Sequence, residues 1–410
     1  MEQLISLQEP TPAARPRPDL RAFLSFGFRP LYLAGAAWAV LAIAVWIFAP
    51  QWLRPPLQGV AWHAHEMLWG FIATVAVGFL MTAGANWTGL NPLQGSALAV
   101  ACGLWMLARI GFLVGGDAWF LAAAAAEVAF FAFAGAAMAR IVFKARNRRN
   151  AAVPLMLLGL ATSDAAYLFA AWRGESAQPM LRLQVGLLCM ALIALLVARR
   201  VIPFFAMRSV AGLQVPMHER SGQVQLGAVV LAIAALVAAP AGSAWLQAAA
   251  MALAGALALV QVLTWQPWAV RRKPLLWILY LGHSGIGFGL LAAAAQAAGF
   301  GLRSAVHVHV IAMGGFSVLI IGMATRTALG HLGRALALDR SMLASYGLVL
   351  TAVALRLAAL WPTAFSSLAL QASALAWIAG FALYLWRFVP WMIRPRADAA
   401  PGTPPPARAR

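Results

Sequence analysis

Long apolar runs separated by short polar segments dominate the chain. Twelve of these runs are about 20 residues long, which is the length that an α-helix needs to cross the hydrocarbon core of a bilayer. Because backbone polar groups find no water inside a membrane, runs of this length favour helices over barrel strands. The pattern therefore predicts an all-α, multi-pass membrane protein with twelve transmembrane helices near residues 31–49, 64–85, 95–114, 118–139, 151–171, 182–202, 224–242, 245–268, 275–297, 306–325, 342–360 and 367–389.

Basic residues are concentrated on one side of this predicted bundle. With a cytoplasmic N-terminus, 24 of the 30 Lys and Arg residues fall in cytoplasmic segments, four in outer loops and two, Arg109 and Arg356, within helices. Lys and Arg are enriched in the cytoplasmic loops of membrane proteins, so we predict that both termini are cytoplasmic. Orientation and contact with lipid headgroups then account for the net charge of +19, and no nucleic acid partner is expected.

The segments outside the helices are short. We predict a cytoplasmic N-terminal tail at 1–30, a transmembrane domain at 31–390 and a C-terminal tail at 391–410, whose Pro, Ala and Arg content is typical of disorder. The N-terminal segment lacks the apolar core of a cleaved signal peptide, so the first helix is expected to act as an uncleaved signal. Only two cysteines are present, without a Cys-x-x-Cys-His motif, so any haem would be bound non-covalently.

Four of the seven histidines form two His-x-His pairs. His63 and His65 open the second predicted helix, and His307 and His309 open the tenth, on the same predicted side of the membrane. Residues two apart on an α-helix point about 200° from each other. One histidine of each pair is therefore expected to meet one of the other pair, while the remaining two face elsewhere. Because imidazole ligates iron, copper and zinc, this pattern indicates a bis-histidine haem, or one haem and a neighbouring metal.

Three further histidines are candidates of a weaker kind. His283 lies among glycines in GHSGIGFG (282–289) and is a candidate third metal ligand. His331, on the predicted cytoplasmic side, is another candidate ligand, and His218 is interpreted in the same way. A single histidine inside a membrane more often makes an interhelical hydrogen bond, so that reading stays open for each of them.

Ionisable residues other than histidine also fall within the predicted helices. Arg109 and Arg356 either extend toward the interface or neutralise haem propionates, since the arginine fork suits carboxylates. Glu66, Glu127 and Asp164 either carry protons to a buried site or hydrogen-bond structurally. Of the three acids, Glu66 directly follows His65 and is the candidate catalytic residue.

The second and tenth predicted helices share a sequence pattern. The positions that align are His63 with His307, His65 with His309, Gly70 with Gly314, and Gly78 with Gly322. Each helix is followed by a similar turn, at 88–95 and 327–334, and then by a helix that contains an arginine. We interpret this as a parallel internal repeat. The alternative is that glycine recurs by composition alone.

Several segments resemble the NnrS family over about residues 24–390. They are SFGFRPLYLAG (25–35), WHAHEMLWGF (62–71), NWTG (86–89), RRVIPFF (199–205) and the stretch from His307 to GMATRTALGHLGR (322–334). Members of that family are twelve-helix proteins of the bacterial inner membrane that contain haem and copper and act in nitric oxide metabolism and resistance to nitrosative stress. The resemblance therefore implies haem b, copper or another second metal, nitric oxide as partner, and an unidentified electron donor.

Three functions are consistent with these observations. The first is an oxidoreductase similar to a nitric oxide reductase, with metals held by His63, His65, His307 and His309. The second is a haem-based sensor or protective protein that binds nitric oxide without turnover. The third is a twelve-helix transporter, for which an internal repeat and intramembrane charges are also typical.

Overall fold

The computed structural model describes residues 17–175, 178–238, 243–301 and 303–398. Over these residues the fold is all-helical, and twelve helices are long and apolar enough to cross a membrane, as predicted. They are α1 (Phe28–Phe48), α2 (Gly59–Thr88), α3 (Ser96–Val114), α4 (Asp117–Lys144), α5 (Arg148–Trp172), α6 (Met180–Ser209), α7 (Glu219–Ala238), α8 (Ala244–Thr264), α9 (Pro274–Ala297), α10 (Ala305–His331), α11 (Arg340–Ala358) and α12 (Ser366–Met392).

Several helices extend beyond the apolar runs that predicted them. α6 continues through Pro203 to Ser209, and α4 continues to Lys144. Basic side chains are stabilised near the C-terminal end of a helix by its dipole, which favours this extension into the polar region. Hydropathy therefore locates the membrane-crossing part of a helix and underestimates its full length.

The helices form one bundle in which α2 is enclosed. Helices adjacent in the chain pack together along most of the sequence, and α12 packs against α1. The indole Nε1 of Trp377 in α12 donates to the carbonyl oxygen of Ala39 in α1 at 2.9 Å. α2 is the most buried helix, and both α6 and α10 contact it. Side chains of α2 consequently face protein on all sides, which is the environment that intramembrane polar groups require.

The two ends of the bundle differ in character. We call the end that carries the N-terminal ends of α2 and α10 the histidine end, and the opposite end, with Arg200, Arg326 and His331, the basic end. Which end faces the cytoplasm stays a prediction. The disordered tail predicted at 391–410 stays a prediction, and its residues from 399 onward lie outside the described residues.

Both α2 and α10 contain an eight-residue π-helix. These segments are Glu66–Ala73 and Val310–Ser317, and each begins directly after the second histidine of its pair. When His63 is aligned with His307, the two π-helices begin and end at corresponding positions. π-Helices are rare and are frequent at functional sites. Their shared register supports the internal repeat independently of the recurring glycines.

Helix α9 approaches the second π-helix closely. A Cβ atom on Gly285 would overlap the carbonyl oxygen of Gly314, and one on Gly282 would lie 2.7 Å from the backbone nitrogen of Leu319. Small residues at such positions let two helix backbones come together in a membrane, where van der Waals packing drives association. The glycines around His283 therefore position α10.

We predict that Gly285→Ala destabilises the protein, because the added methyl group meets backbone that cannot rotate away. Overpacking of this kind costs about 1–3 kcal/mol, and thermal unfolding of the detergent-purified protein measures the loss. Gly103→Ala is the matched control, since no atom lies within 4 Å of a Cβ at that position in α3. Equal midpoints for the two variants would contradict the close approach of α9 and α10.

Candidate functional site

Five ionisable side chains meet between α2, α3, α4 and α5. They are His65, Glu66, Arg109, Glu127 and Asp164, and none is more than 1% exposed. His65 Nδ1 lies 2.9 Å from a Glu66 carboxylate oxygen, and His65 Nε2 lies 3.0 Å from Asp164 Oδ1 and 3.3 Å from Glu127 Oε2. The Arg109 guanidinium forms ion pairs with both Glu66 and Glu127. We call these five residues the buried ionic cluster.

A glycine in the first π-helix makes room for this cluster. A Cβ atom on Gly70 would overlap the Arg109 guanidinium and would lie 2.9 Å from both Glu66 Oε2 and Trp38 Nε1. The Trp38 indole donates to Glu66 Oε2 at 2.6 Å, which completes the contacts of that carboxylate. Any larger residue at position 70 would therefore displace the groups that hold Glu66 in place.

The charges of the cluster do not balance within the protein. Each ring nitrogen of His65 faces a carboxylate oxygen, a geometry that suits an imidazolium donating on both sides. Even with that ring charged, three carboxylates face only two cationic groups. Buried charges are costly unless they are paired. A shared proton would supply the missing positive charge beside a charged His65, whereas a bound metal cation would supply it beside a neutral His65.

Three residues of the cluster have the geometry of a candidate metal site. His65, Glu127 and Asp164 each offer one ligand atom, and these atoms lie within 4.8 Å of one another. Asp164 Oδ2 is buried and has no hydrogen-bond partner among the described residues. One imidazole with carboxylate oxygens suits divalent transition metals that accept nitrogen and oxygen ligands. The donor set therefore fits a metal ion.

Aromatic rings separate His65 from lipid and water. The ring centroids of Trp69, Phe112 and Tyr167 lie 5.4, 5.0 and 5.6 Å from that of His65. The Tyr167 hydroxyl donates to the carbonyl oxygen of Ala61 at 2.7 Å. This shell lowers the local dielectric constant and so strengthens every ionic contact inside the cluster.

The other three paired histidines line a cavity at the histidine end. His63, His307 and His309, together with Arg356, border a space of about 290 Å³ that is otherwise mostly apolar. We call this space the histidine cavity. Its size is close to the lower end of the range for ligand pockets, roughly 300–1,000 Å³. The Trp46 ring is stacked on the His63 ring, with centroids 5.1 Å apart.

Hydrogen bonds orient one imidazole and leave two without partners. His309 Nδ1 donates to the carbonyl oxygen of Ala305 at 2.7 Å, and His309 Nε2 then accepts from Arg356 Nε at 3.1 Å. The Nδ1 atoms of His63 and His307 are buried without a hydrogen-bond partner among the described residues. Buried polar atoms are normally satisfied, so a ligand in the cavity is the expected partner. The imidazoles, the guanidinium and the apolar wall fit a haem or another metal-containing ligand.

The two His-x-His pairs are distributed differently between the histidine cavity and the buried ionic cluster. His63 and His65 lie on a regular α-helical turn and face opposite sides of α2, so His63 borders the cavity and His65 enters the ionic cluster. His307 and His309 both border the cavity, because it extends around the end of α10 and also contacts Val308 between them. The structure thus brings three of the four paired histidines together.

The remaining sequence-predicted residues lie apart from both features. His283 Nε2 donates to Gln261 at 3.1 Å, and its ring packs 5.1 Å from that of Trp265. His331 lies at the basic end with its ring 5.4 Å from Phe28. His218 Nε2 lies 2.6 Å from the Thr264 hydroxyl.

The structure adds residues that were not singled out as site residues. Glu127 and Asp164 were predicted either to carry protons or to hydrogen-bond structurally, and both contact His65 directly. Their signal was a lone carboxylate in an apolar helix, which marks a functional position by itself. Trp46 and Gln184 in the cavity wall have no such signal, because an indole and an amide are common on any membrane helix.

These features define a multi-pass helical membrane protein with a buried histidine and carboxylate site that could hold a metal. The sequence profile described as NnrS protein matches residues 22–396. Because that match spans nearly the whole chain, the protein belongs to the NnrS family. No curated protein is similar enough to the chain to count as a match.

We predict that Arg109→Gln strongly destabilises the fold, because it leaves Glu66 and Glu127 buried without their cation. Removing one partner of a buried ion pair costs about 3–5 kcal/mol. The double variant Arg109→Gln/Glu127→Gln should recover part of that loss, since it removes one of the stranded charges. Thermal unfolding of the purified variants measures both effects.

The matched control is Arg303→Gln, which removes an exposed arginine that donates to the carbonyl oxygen of Leu360. It should change the midpoint little. A midpoint for Arg109→Gln that equals that of the control would contradict the role of the ion pairs in the fold.

Proposed function

We propose that the chain is a haem-binding protein of the bacterial inner membrane that acts on nitric oxide, reducing or otherwise detoxifying it at a histidine-ligated haem or metal site. The observation that carries the proposal is the convergence of His63, His307, His309 and Arg356 on one apolar cavity. Membership of the NnrS family supports the same assignment. Nitric oxide is small and apolar, so it can reach such a cavity through the bilayer.

The histidine cavity offers what a non-covalently held haem b needs from its protein. The imidazoles of His63 and His307, whose Nδ1 atoms have no partner among the described residues, would hold the iron, and His309 would do so only if its Nε2 gave up the hydrogen bond from Arg356. The Arg356 guanidinium would suit a propionate carboxylate. Trp46 and other apolar side chains line most of the remaining wall, where the porphyrin would pack. A bound haem would supply an iron that binds nitric oxide and changes oxidation state.

Within this proposal, Arg109 pairs with the carboxylates of the ionic cluster, and Arg356 binds an anionic group of the cofactor. The guanidinium of Arg109 already contacts two carboxylates. Arg356 forms no ion pair among the described residues; its Nε donates to His309. A cationic group that lines a cavity without a carboxylate is available to an anionic part of a ligand.

We propose two roles for the buried ionic cluster. Reduction of nitric oxide consumes protons as well as electrons, and the carboxyl groups of Glu66, Glu127 and Asp164 would hold protons close to the cavity, since His65 is two residues from His63. Alternatively, His65, Glu127 and Asp164 would hold the second metal, for which copper is the family's implied ion. The electrons would come from an outside donor.

The main alternative is a protein that binds nitric oxide as a sensor or sink without turnover. The enzyme and the sensor both need the histidine cavity as the binding site. They differ only in whether the bound nitric oxide reacts. A transporter is the third candidate, and the internal repeat of α2 and α10 is consistent with it.

We predict that the detergent-purified protein contains haem, visible as a Soret band. His307→Ala should lose at least about tenfold in haem affinity, since even second-shell changes cost about 10–100-fold in metal affinity. Nitric oxide consumption, measured anaerobically with a chemical reductant, should fall in parallel. Haem content by the pyridine haemochrome assay gives a readout that does not depend on activity.

The matched control is His218→Ala, which removes a histidine at the other end of the bundle. It should retain the spectrum of the parent. A colourless, metal-free parent protein would reject the proposal and favour transport, while a spectrum that shifts with nitric oxide but shows no consumption would favour the sensor.

We also predict that Asp164→Asn lowers the non-haem metal content of the protein if the ionic cluster holds the second metal. The amide removes one anionic ligand, and the loss is measured by elemental analysis of the purified protein. Asp117→Asn, at the first turn of α4, is the matched control. Unchanged metal content in Asp164→Asn would favour the shared proton.

A further inference from the structure

The basic end contains a cavity of about 770 Å³ between α2, α5, α6 and α10. Its cationic side chains are Arg149, Arg200 and Arg326, and His331 also lines it. None of its described lining residues is acidic. A space bordered by several cations and no carboxylate has a positive potential and attracts anions. We call it the basic cavity.

Arg326 is the most informative of these residues. It is 7% exposed, and no carboxylate oxygen lies within ion-pair distance of it among the described residues. Its guanidinium carbon lies 4.0 Å from the centre of the Phe205 ring, and Nη2 donates to Ser209 Oγ at 3.4 Å. A buried arginine inside a membrane protein normally has an anionic partner or backbone carbonyls around it. Arg326 therefore lacks its counter-ion.

The acid that shares a second cavity with Arg326 already has a cationic partner. Asp339 borders a second cavity, of about 410 Å³, to which Arg326 also contributes. Burial opposes ionisation of Asp339, but hydrogen bonds from Ser341 and Met342 and the charge of Arg387 lower its pKa below the ordinary value. It forms an ion pair with Arg387 at 2.6 Å. Asp339 is thus an ionised partner of Arg387 and does not neutralise Arg326.

Hydrogen bonds hold a second arginine of the cavity in place. Arg200 Nη1 donates to Asn150 Oδ1 at 2.7 Å, and Nη2 donates to the carbonyl oxygen of Arg149 at 3.1 Å. Both partners are neutral acceptors, and Arg200 forms no ion pair among the described residues. A guanidinium that is oriented in advance loses less entropy when it binds an oxyanion.

Part of the remaining wall is aromatic, and the rest carries the polar side chains of Thr82, Asn86, Asn147, Asn150 and Thr327. Phe79, Trp87, Phe204 and Phe205 line the same cavity, and Phe204 is 45% exposed on the outer surface of the bundle. A ligand with an anionic group and an apolar part would satisfy both halves of the wall. Free inorganic anions would use only the basic half.

We propose that the basic cavity binds the phosphate group of an anionic phospholipid, with the phosphate at Arg326 and Arg200 and the acyl chains along the aromatic wall. Arginine pairs bidentately with phosphate oxygens. Basic pockets between transmembrane helices are a recurrent site for anionic lipid headgroups. The site lies at the opposite end of α10 from the histidine cavity and does not depend on the function proposed for that cavity.

The experiment measures thermal unfolding of the purified full-length protein after delipidation. Phosphatidylglycerol, phosphatidylcholine and inorganic phosphate are added in separate titrations. We expect phosphatidylglycerol alone to raise the midpoint in a saturable way, because a ligand that binds the folded state stabilises it by mass action. Arg326→Gln should weaken that binding about tenfold, which corresponds to 1.4 kcal/mol.

Arg208→Gln is the matched control, because Arg208 is exposed at the same end of α6 and does not line the cavity. It should keep the response to phosphatidylglycerol. If Arg326→Gln does not fold, Arg326→Lys replaces it in the experiment. Lysine keeps the charge but lacks the planar guanidinium, so this variant should bind phosphatidylglycerol more weakly than the parent. An equal response to phosphatidylcholine, a response to inorganic phosphate alone, or an equal loss in Arg208→Gln would overturn the proposal.

Discussion

The ion pairs of Arg109 are the contacts on which the interior of this protein depends. Three carboxylates, one arginine and one histidine lie among membrane-spanning helices with almost no exposed surface. Such charges are tolerated in a bilayer only when they pair with one another. The pairs join α2, α3 and α4, and His65 extends them to Asp164 in α5. The first half of the chain is therefore held together by charge as well as by apolar packing.

Helix α2 separates the buried ionic cluster from the histidine cavity. α2 is regular through His65, so His63 and His65 point to different sides, and the π-helix begins only after them. One face of α2 consequently contacts the charged residues and the other borders the cavity. Gly70 in the π-helix admits the Arg109 guanidinium, and Gly285 of α9 admits the corresponding π-helix of α10. Small residues thus allow close packing around both halves of the repeat.

The two ends of the bundle present different chemistry. The histidine end has neutral nitrogen donors and one arginine around an apolar space, which suits a metal-containing ligand. The basic end has Arg200 and Arg326, which form no ion pair among the described residues, beside a larger space with an aromatic wall, and this suits an amphipathic anion. α10 contributes to both, with His307 and His309 near one end and Arg326 near the other. Occupancy of either site would stabilise this helix.

The sequence was sufficient for the helical class, the number of membrane spans and the membership of the NnrS family, because hydropathy and short motifs are local properties. It also placed the paired histidines at one end of α2 and α10, since helix direction follows from the alternation of spans. It did not determine that His63 joins His307 and His309 while His65 joins Glu127 and Asp164. Those contacts depend on helix rotation and on which helices are neighbours. The rotation of each helix and the identity of its neighbours depend on how Gly70, Gly285 and many apolar side chains pack at the same time. These contacts join residues far apart in the chain, so they are seen in the folded structure and not in the sequence.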